Sequence, residues 1–227
     1  MVLNISTHKT ILFQILKDIY SDTLISPFLG FKGGTAALLF YKLGRFSVDL
    51  DFDLLGESKE DLIFERITSI VKKYGQLKES YKKRFNLFWL LSYEDKAHNI
   101  KIEVNRRNFG SKYELKTYLG VSMLVMSPDD MFANKLMAMH ERMGKTNRDI
   151  YDVWFFLTNR FQINEGIVKE RSGVTFEELV KKCIKQLEAL SNTHILDGLG
   201  ELLDSNQKVW IKSHLKEDTI ALLKLRI

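Results

Sequence analysis

The chain has 227 residues, 45% hydrophobic and 28% charged, enough for one large domain or two small ones with an ample core. Its apolar runs, such as Ala36 to Tyr41 and Phe88 to Leu91, are too short to span a bilayer, and one cysteine, Cys183, excludes an internal disulfide and any cysteine-rich metal site. The formal net charge of +5 is modest, but six Lys or Arg against one acid, Glu79, between Ile67 and Arg84 favour a polyanionic partner.

The N-terminal sequence MVLNISTHKT lacks a basic region followed by a long apolar one, so the expected location is cytoplasmic. Residues Ser6 to Leu24 carry Ile11, Ile15, Leu16, Ile19 and Tyr20 at helical spacing, and Pro27 punctuates the end of that helix. A Gly33-Gly34 pair then allows a sharp turn, with Thr35 expected to cap a helix from Ala36 to Leu43. Such a helix start presents N–H groups to an anion. After Gly44, the segment Val48 to Asp53 alternates apolar and acidic, which sends Asp49, Asp51 and Asp53 to one face of a strand. Like charges so placed repel, and oxygen ligands on a strand suit magnesium, with a nucleotide as co-ligand at the adjacent turn.

A helix is predicted from about Lys59 to Tyr74, closed by Gly75. From Gln76 to Asn105 the pattern is strand-like, with a polar turn at Glu94 to Asn99. In the last of these strands Ile100, Ile102 and Val104 face one way and Lys101, Glu103 and Asn105 the other, which makes Glu103 the candidate third carboxylate. Residues Arg106 to Tyr118 read as turn-rich, followed by an apolar segment from Val121 to Met126. Ser127-Pro128-Asp129-Asp130 signals a helix start. Helices are then predicted over Pro128 to Met143, Asn147 to Thr158 and Phe176 to Leu190, with shorter pieces from Ile195 on and interruptions between Asn159 and Thr175. Lys135, Met139 and Arg142 share one helical face, while Arg148, Asp149 and Asp152 open the next helix, where Arg148 and Asp152 have the spacing of a plain ion pair.

Lys32 to Thr35 (KGGT) and Arg45 to Phe52 (RFSVDLDF) resemble the hallmark of the AbiEii-like abortive-infection and toxin–antitoxin group, within the polymerase-beta nucleotidyltransferase superfamily. The stretch KLMAMHERMGKTNRDIYDVW resembles that family's second motif. The resemblance implies an α/β (α+β) fold: a nucleotidyltransferase domain over residues 1–125 with a short mixed sheet, then a helical bundle over 126–227. It implies magnesium on Asp49, Asp51 and Glu103, where the family usually has Asp in the last place, and a triphosphate on Lys32, Gly33, Gly34, Thr35 and Lys135. Arg142, Arg148, Asp149 and Asp152 would complete the site. The implied activity moves a nucleoside monophosphate from an NTP to an acceptor hydroxyl. An RNA acceptor, tRNA first, is the expectation, with Arg106, Arg107, Lys112 and Lys116 adding to the basic run, and a cognate antitoxin as a further partner. Transfer to a small molecule and a catalytically idle binding module are the alternatives.

Overall fold

The computed structural model describes residues 4–95 and 97–227, so that Lys96, in the predicted polar turn, lies outside the described residues. The fold is mixed α/β, and it divides into two compact units. The first comprises the described part of Met1–Lys42 with Phe46–Asn108 and Lys112–Met126; the second comprises Leu43–Arg45, Phe109–Ser111 and Ser127–Ile227.

Unit 1 holds α1 (Ile5–Ser21), β1 (Leu29–Lys32), α2 (Gly33–Tyr41), β2 (Leu50–Leu54), α3 (Glu60–Val71), β3 (Gln76–Lys82), β4 (Asn86–Ser92), β5 (Ile100–Asn105), β6 (Tyr113–Tyr118) and β7 (Val121–Met126). Among the described residues the strands form one mixed sheet of seven in the order β3-β4-β5-β2-β1-β7-β6. The β2–β5 and β1–β7 pairings are parallel and the others antiparallel. Strict alternation along β4, β5 and β2 buries Leu87, Trp89, Leu91, Ile100, Ile102, Val104, Leu50 and Phe52 on one face. On that face Trp89 Nε1 donates to Thr68 of α3. The opposite face carries the acids.

Three expectations change. The helix after the glycine turn starts at Gly33 itself, with Lys32 at the N-cap, so Thr35 lies inside the first turn and its hydroxyl donates to Asp49 O (2.5 Å) instead of capping. Residues 113–118 form an edge strand, paired antiparallel with β7 from Tyr113 opposite Met126 to Tyr118 opposite Val121, even though Leu115 is exposed. A short helix, α6 (Glu165–Ser172), fills the region read as interrupted; Asn164 caps it through Gly166 N and Ile167 N.

Unit 2 is helical: α4 (Pro128–Arg142), α5 (Arg148–Thr158), α6, α7 (Phe176–Ala189), α8 (Ser205–Trp210) and α9 (Lys216–Lys224). Phe132 and Phe156 stack at 5.4 Å between α4 and α5, and a Thr175/Glu178 capping box starts α7. Cys183 is buried in α7, and burial pushes its thiol up to about 12. No helix among the described residues is long and apolar enough to cross a membrane.

Candidate active site

The carboxylates of unit 1 are aligned by strand register. Asp51 pairs with Glu103 across the parallel β2–β5 ladder and with Lys32 across β1, and Asp53 pairs with Asn105. Directly opposed residues present side chains on the same face, so Lys32, Asp51 and Glu103 form one row. Asp49 precedes the first residue of β2, and its backbone is held from two sides. Thr35 bonds its carbonyl, and His8 Nε2 bonds the neighbouring Val48 O at 2.9 Å while Nδ1 meets Tyr93 Oη at 3.0 Å. The glycine turn abuts the row: Gly33 has φ +80, and a Cβ there would collide with the Asp51 carboxylate. Lys32 makes no capping hydrogen bond, so side-chain capping does not occupy the start of α2.

Electrostatics separate Asp53 from the other acids. Its carboxylate accepts from Lys32 Nζ (2.5 Å), Asn105 Nδ2 (2.8 Å) and Tyr113 Oη (2.5 Å), and the Tyr113 ring lies where a Cβ on Gly30 would stand. Asp53 is therefore a fixed anchor for Lys32 rather than an open metal ligand. Beside the other acids, Lys101 Nζ stands 3.7 Å from Asp49 and 3.9 Å from Glu103. Burial raises the Glu103 carboxyl above its ordinary value; Lys101 opposes that shift, and Asp51 and Asp49 add to it. Among the described residues no group of three or more His, Cys, Asp or Glu is gathered tightly enough to hold a metal ion. The donor chemistry nonetheless fits a hard divalent cation, since the side chains are carboxylates and one cation, the Lys101 ammonium, already stands within 4 Å of both Asp49 and Glu103.

Unit 2 brings the second-motif residues together in a different way. Asp152 is fully buried and takes a two-point fork from Arg45, Nε to Oδ1 at 2.6 Å and Nη2 to Oδ2 at 2.7 Å, with Lys135 Nζ 2.7 Å from Oδ2. Burial alone would raise the Asp152 carboxyl, but Arg45 and Lys135 outweigh it and hold it well below the usual carboxylate range. The partner of Asp152 is thus Arg45, a residue with no periodic signal of its own, rather than the i,i+4 neighbour Arg148. Asp149, also fully buried, accepts from Arg142 Nη2 at Oδ1 (2.9 Å), and the same nitrogen lies 2.8 Å from its Oδ2 in an ion pair. Lys135 stands 4.0 Å from Asp149.

The basic residues divide as well. Lys73 pairs with Asp18, Lys82 with Asp61 and Lys116 with Glu114. Arg106 pairs with Glu60 at 2.6 Å and bonds Lys83 O at 2.8 Å. Lys83 and Arg84 lie instead against the rings of Tyr81 and Phe85.

The family described as "Nucleotidyl transferase AbiEii toxin, Type IV TA system" matches residues 14–187, well over half of the chain. Among solved structures, JHP933 from Helicobacter pylori is 20% identical, covering 97% of this chain and 90% of its own, with a TM-score of 0.61. A putative nucleotidyltransferase from H. pylori is likewise 20% identical, with coverage of 97% and 93% and a TM-score of 0.61. At that identity the likeness establishes the fold. A search of curated proteins finds no match.

Proposed function

We propose that this chain, which belongs to the nucleotidyl transferase AbiEii toxin family of type IV toxin–antitoxin systems, moves a nucleoside monophosphate from an NTP onto a hydroxyl of RNA, tRNA first among acceptors. As a toxin it would be held in check by a cognate antitoxin. The observation that supports the reading best is the register that sets Asp51 beside Glu103 and against the Gly33 turn. The backbone proposed to seat the phosphates and the carboxylate row thereby adjoin on the central strands β1, β2 and β5.

In this reading the N–H groups at Gly33, Gly34 and Thr35 seat the triphosphate on the start of α2. Lys32, oriented by Asp53, directs its ammonium toward the same anion. Asp49, Asp51 and Glu103 would hold Mg2+, which when bound neutralises phosphate charge and acidifies the acceptor hydroxyl. The hydroxyl oxygen bonds to the α-phosphorus, the bond from that phosphorus to the pyrophosphate oxygen breaks, and the hydroxyl proton is released to water. Thr35 and His8 keep the Asp49 backbone in place throughout. In the helical unit, Arg142 is the proposed nucleotide contact, its guanidinium held by the buried Asp149. Lys135, Asp152 and Arg45 position this pair, and Arg148 adds charge at the start of α5.

The test supplies each labelled NTP in turn, with magnesium, total RNA and a small-metabolite extract. The proposal expects label in RNA from the wild type and none from Asp51→Asn. Label in a metabolite alone, or equal labelling by the variant, would overturn it.

A further inference from the structure

The hairpin of β3 and β4 presents a surface that the catalytic reading does not use. Strand register places Tyr81 opposite Phe88, Phe88 opposite Glu103 and Glu103 opposite Asp51, so two aromatic rings extend the carboxylate row on the same face of the sheet. At about 4.8 Å per strand, Phe88 stands roughly 5 Å from the Glu103 strand and 10 Å from that of Asp51. The Tyr81 and Phe88 rings stack at 4.7 Å and 8°, with Lys83 Nζ 4.6 Å from the Tyr81 centroid. At the hairpin tip Phe85 is 47% exposed, and the guanidinium groups of Arg84 and Arg107 lie 4.9 and 5.4 Å from its centroid.

This tip is held in place. Arg106 donates its backbone N–H to Phe85 O and Nη1 to Lys83 O, both at 2.8 Å, and Glu60 fixes the far side of the guanidinium at 2.6 Å. Arg107 Nε donates to Asn105 Oδ1 at 3.3 Å, and Asn105 bonds Asp53, the anchor of Lys32. From Arg107, which lies against the exposed ring, a chain of hydrogen bonds therefore runs to Lys32 at the proposed phosphate site. A half-exposed Phe held beside two guanidinium groups is a ring that a base can reach and that cations flank.

We propose that this face binds an unpaired segment of the acceptor nucleic acid, its bases stacking on Phe85 and the Tyr81/Phe88 pair and its phosphates meeting Lys83, Arg84 and Arg107. The proposal rests on the RNA-acceptor reading and adds where the acceptor docks. Base–aromatic stacking beside cations is the general chemistry of single-strand recognition, and a duplex, with its base faces hidden, would not use it. An acidic peptide would meet the cations but would not need the rings.

The test measures binding of the full chain to a labelled single-stranded oligoribonucleotide of about twelve nucleotides, without NTP or metal. Loss of one stacked base predicts that Phe85→Ala weakens binding roughly 5- to 150-fold with an unchanged thermal melt. Phe85→Leu should behave like Phe85→Ala, Phe85→Trp should bind as well as the wild type, and Arg84→Gln should reduce the salt slope by about 0.7. Wild-type affinity in Phe85→Ala or Phe85→Leu, or competition by polyglutamate as strong as by RNA, overturns the proposal. A parallel transfer assay separates the two readings. A wild type that binds RNA through Phe85 but labels none supports the surface and refutes the RNA acceptor. A wild type that labels RNA while Phe85→Ala binds and labels it equally refutes the surface alone.

Discussion

Two clusters of charge are built from the same residue types and solve opposite problems. In the sheet, Asp49, Asp51 and Glu103 share one face with two ammonium groups: Lys101, 3.7 Å from Asp49 and 3.9 Å from Glu103, and Lys32, opposite Asp51 and held by Asp53. In the helical unit, Asp152 is sealed from solvent and matched by Arg45 and Lys135 at 2.6 to 2.7 Å. A buried carboxylate is tolerated only when its partners replace water, which the Arg45 fork does. A half-open row of acids is instead suited to a cation that comes and goes. Motif likeness alone puts both clusters in one functional class; burial and pairing set them apart.

The sharpest way to break this contrast is to neutralise one acid in each cluster. Asp51→Asn is expected to lower transfer by on the order of 10²–10³ or more while leaving stability equal or higher, because it relieves repulsion. Turnover and chemical denaturation, measured together, check it. Asp152→Asn should behave in reverse, costing about 3–5 kcal/mol in urea titration because Arg45 is left buried without its partner charge. If Asp152→Asn instead keeps full stability and loses only activity, the supporting role of the helical cluster is wrong.

A smaller effect is expected at Gly33. Alanine there must adopt φ near +80 and meet the Asp51 carboxylate, a strain of about 1–3 kcal/mol together with lost transfer. Normal transfer in Gly33→Ala would detach the turn from the site. The smallest effect is in pH. His8 has its pKa lowered, chiefly by burial, so its contribution to stability is complete above the unfolded value of 6.5 and declines as pH falls through the folded one. Asp152 is depressed too, but from 3.8, so its contribution persists until pH falls below that value. Hydrogen exchange between pH 7 and 5 should therefore loosen the start of β2 before α5, and equal loosening would remove the distinction.

What the sequence discloses follows from the range of the interactions involved. The Asp49-Leu50-Asp51-Phe52-Asp53 alternation and the Gly33 turn are local, so periodicity and glycine chemistry reveal them. Asp51 and Glu103 become neighbours through a parallel pairing that no local pattern encodes. Arg45 and Asp152 lie 107 positions apart, and nothing in the RFS segment marks the arginine as a buried fork. The β6 strand was concealed by its exposure, since an edge strand with Leu115 in solvent gives no hydrophobic stripe, yet its Tyr113 reaches Asp53. Charge counting likewise overstates the basic run, because Lys73, Lys82 and Arg106 are already committed to Asp18, Asp61 and Glu60.

The central claim is that the sheet acids are a cation site and the helical acids are not. Its most direct test is the melting temperature titrated with Mg2+ in the presence of a non-hydrolysable NTP analogue, for the wild type and Asp51→Asn. A cation bound only by the folded state raises stability by mass action. The account predicts a wild-type melting temperature that climbs with Mg2+ and an Asp51→Asn protein that starts as high or higher and does not respond. A wild type indifferent to Mg2+, or a variant that climbs equally, would contradict it.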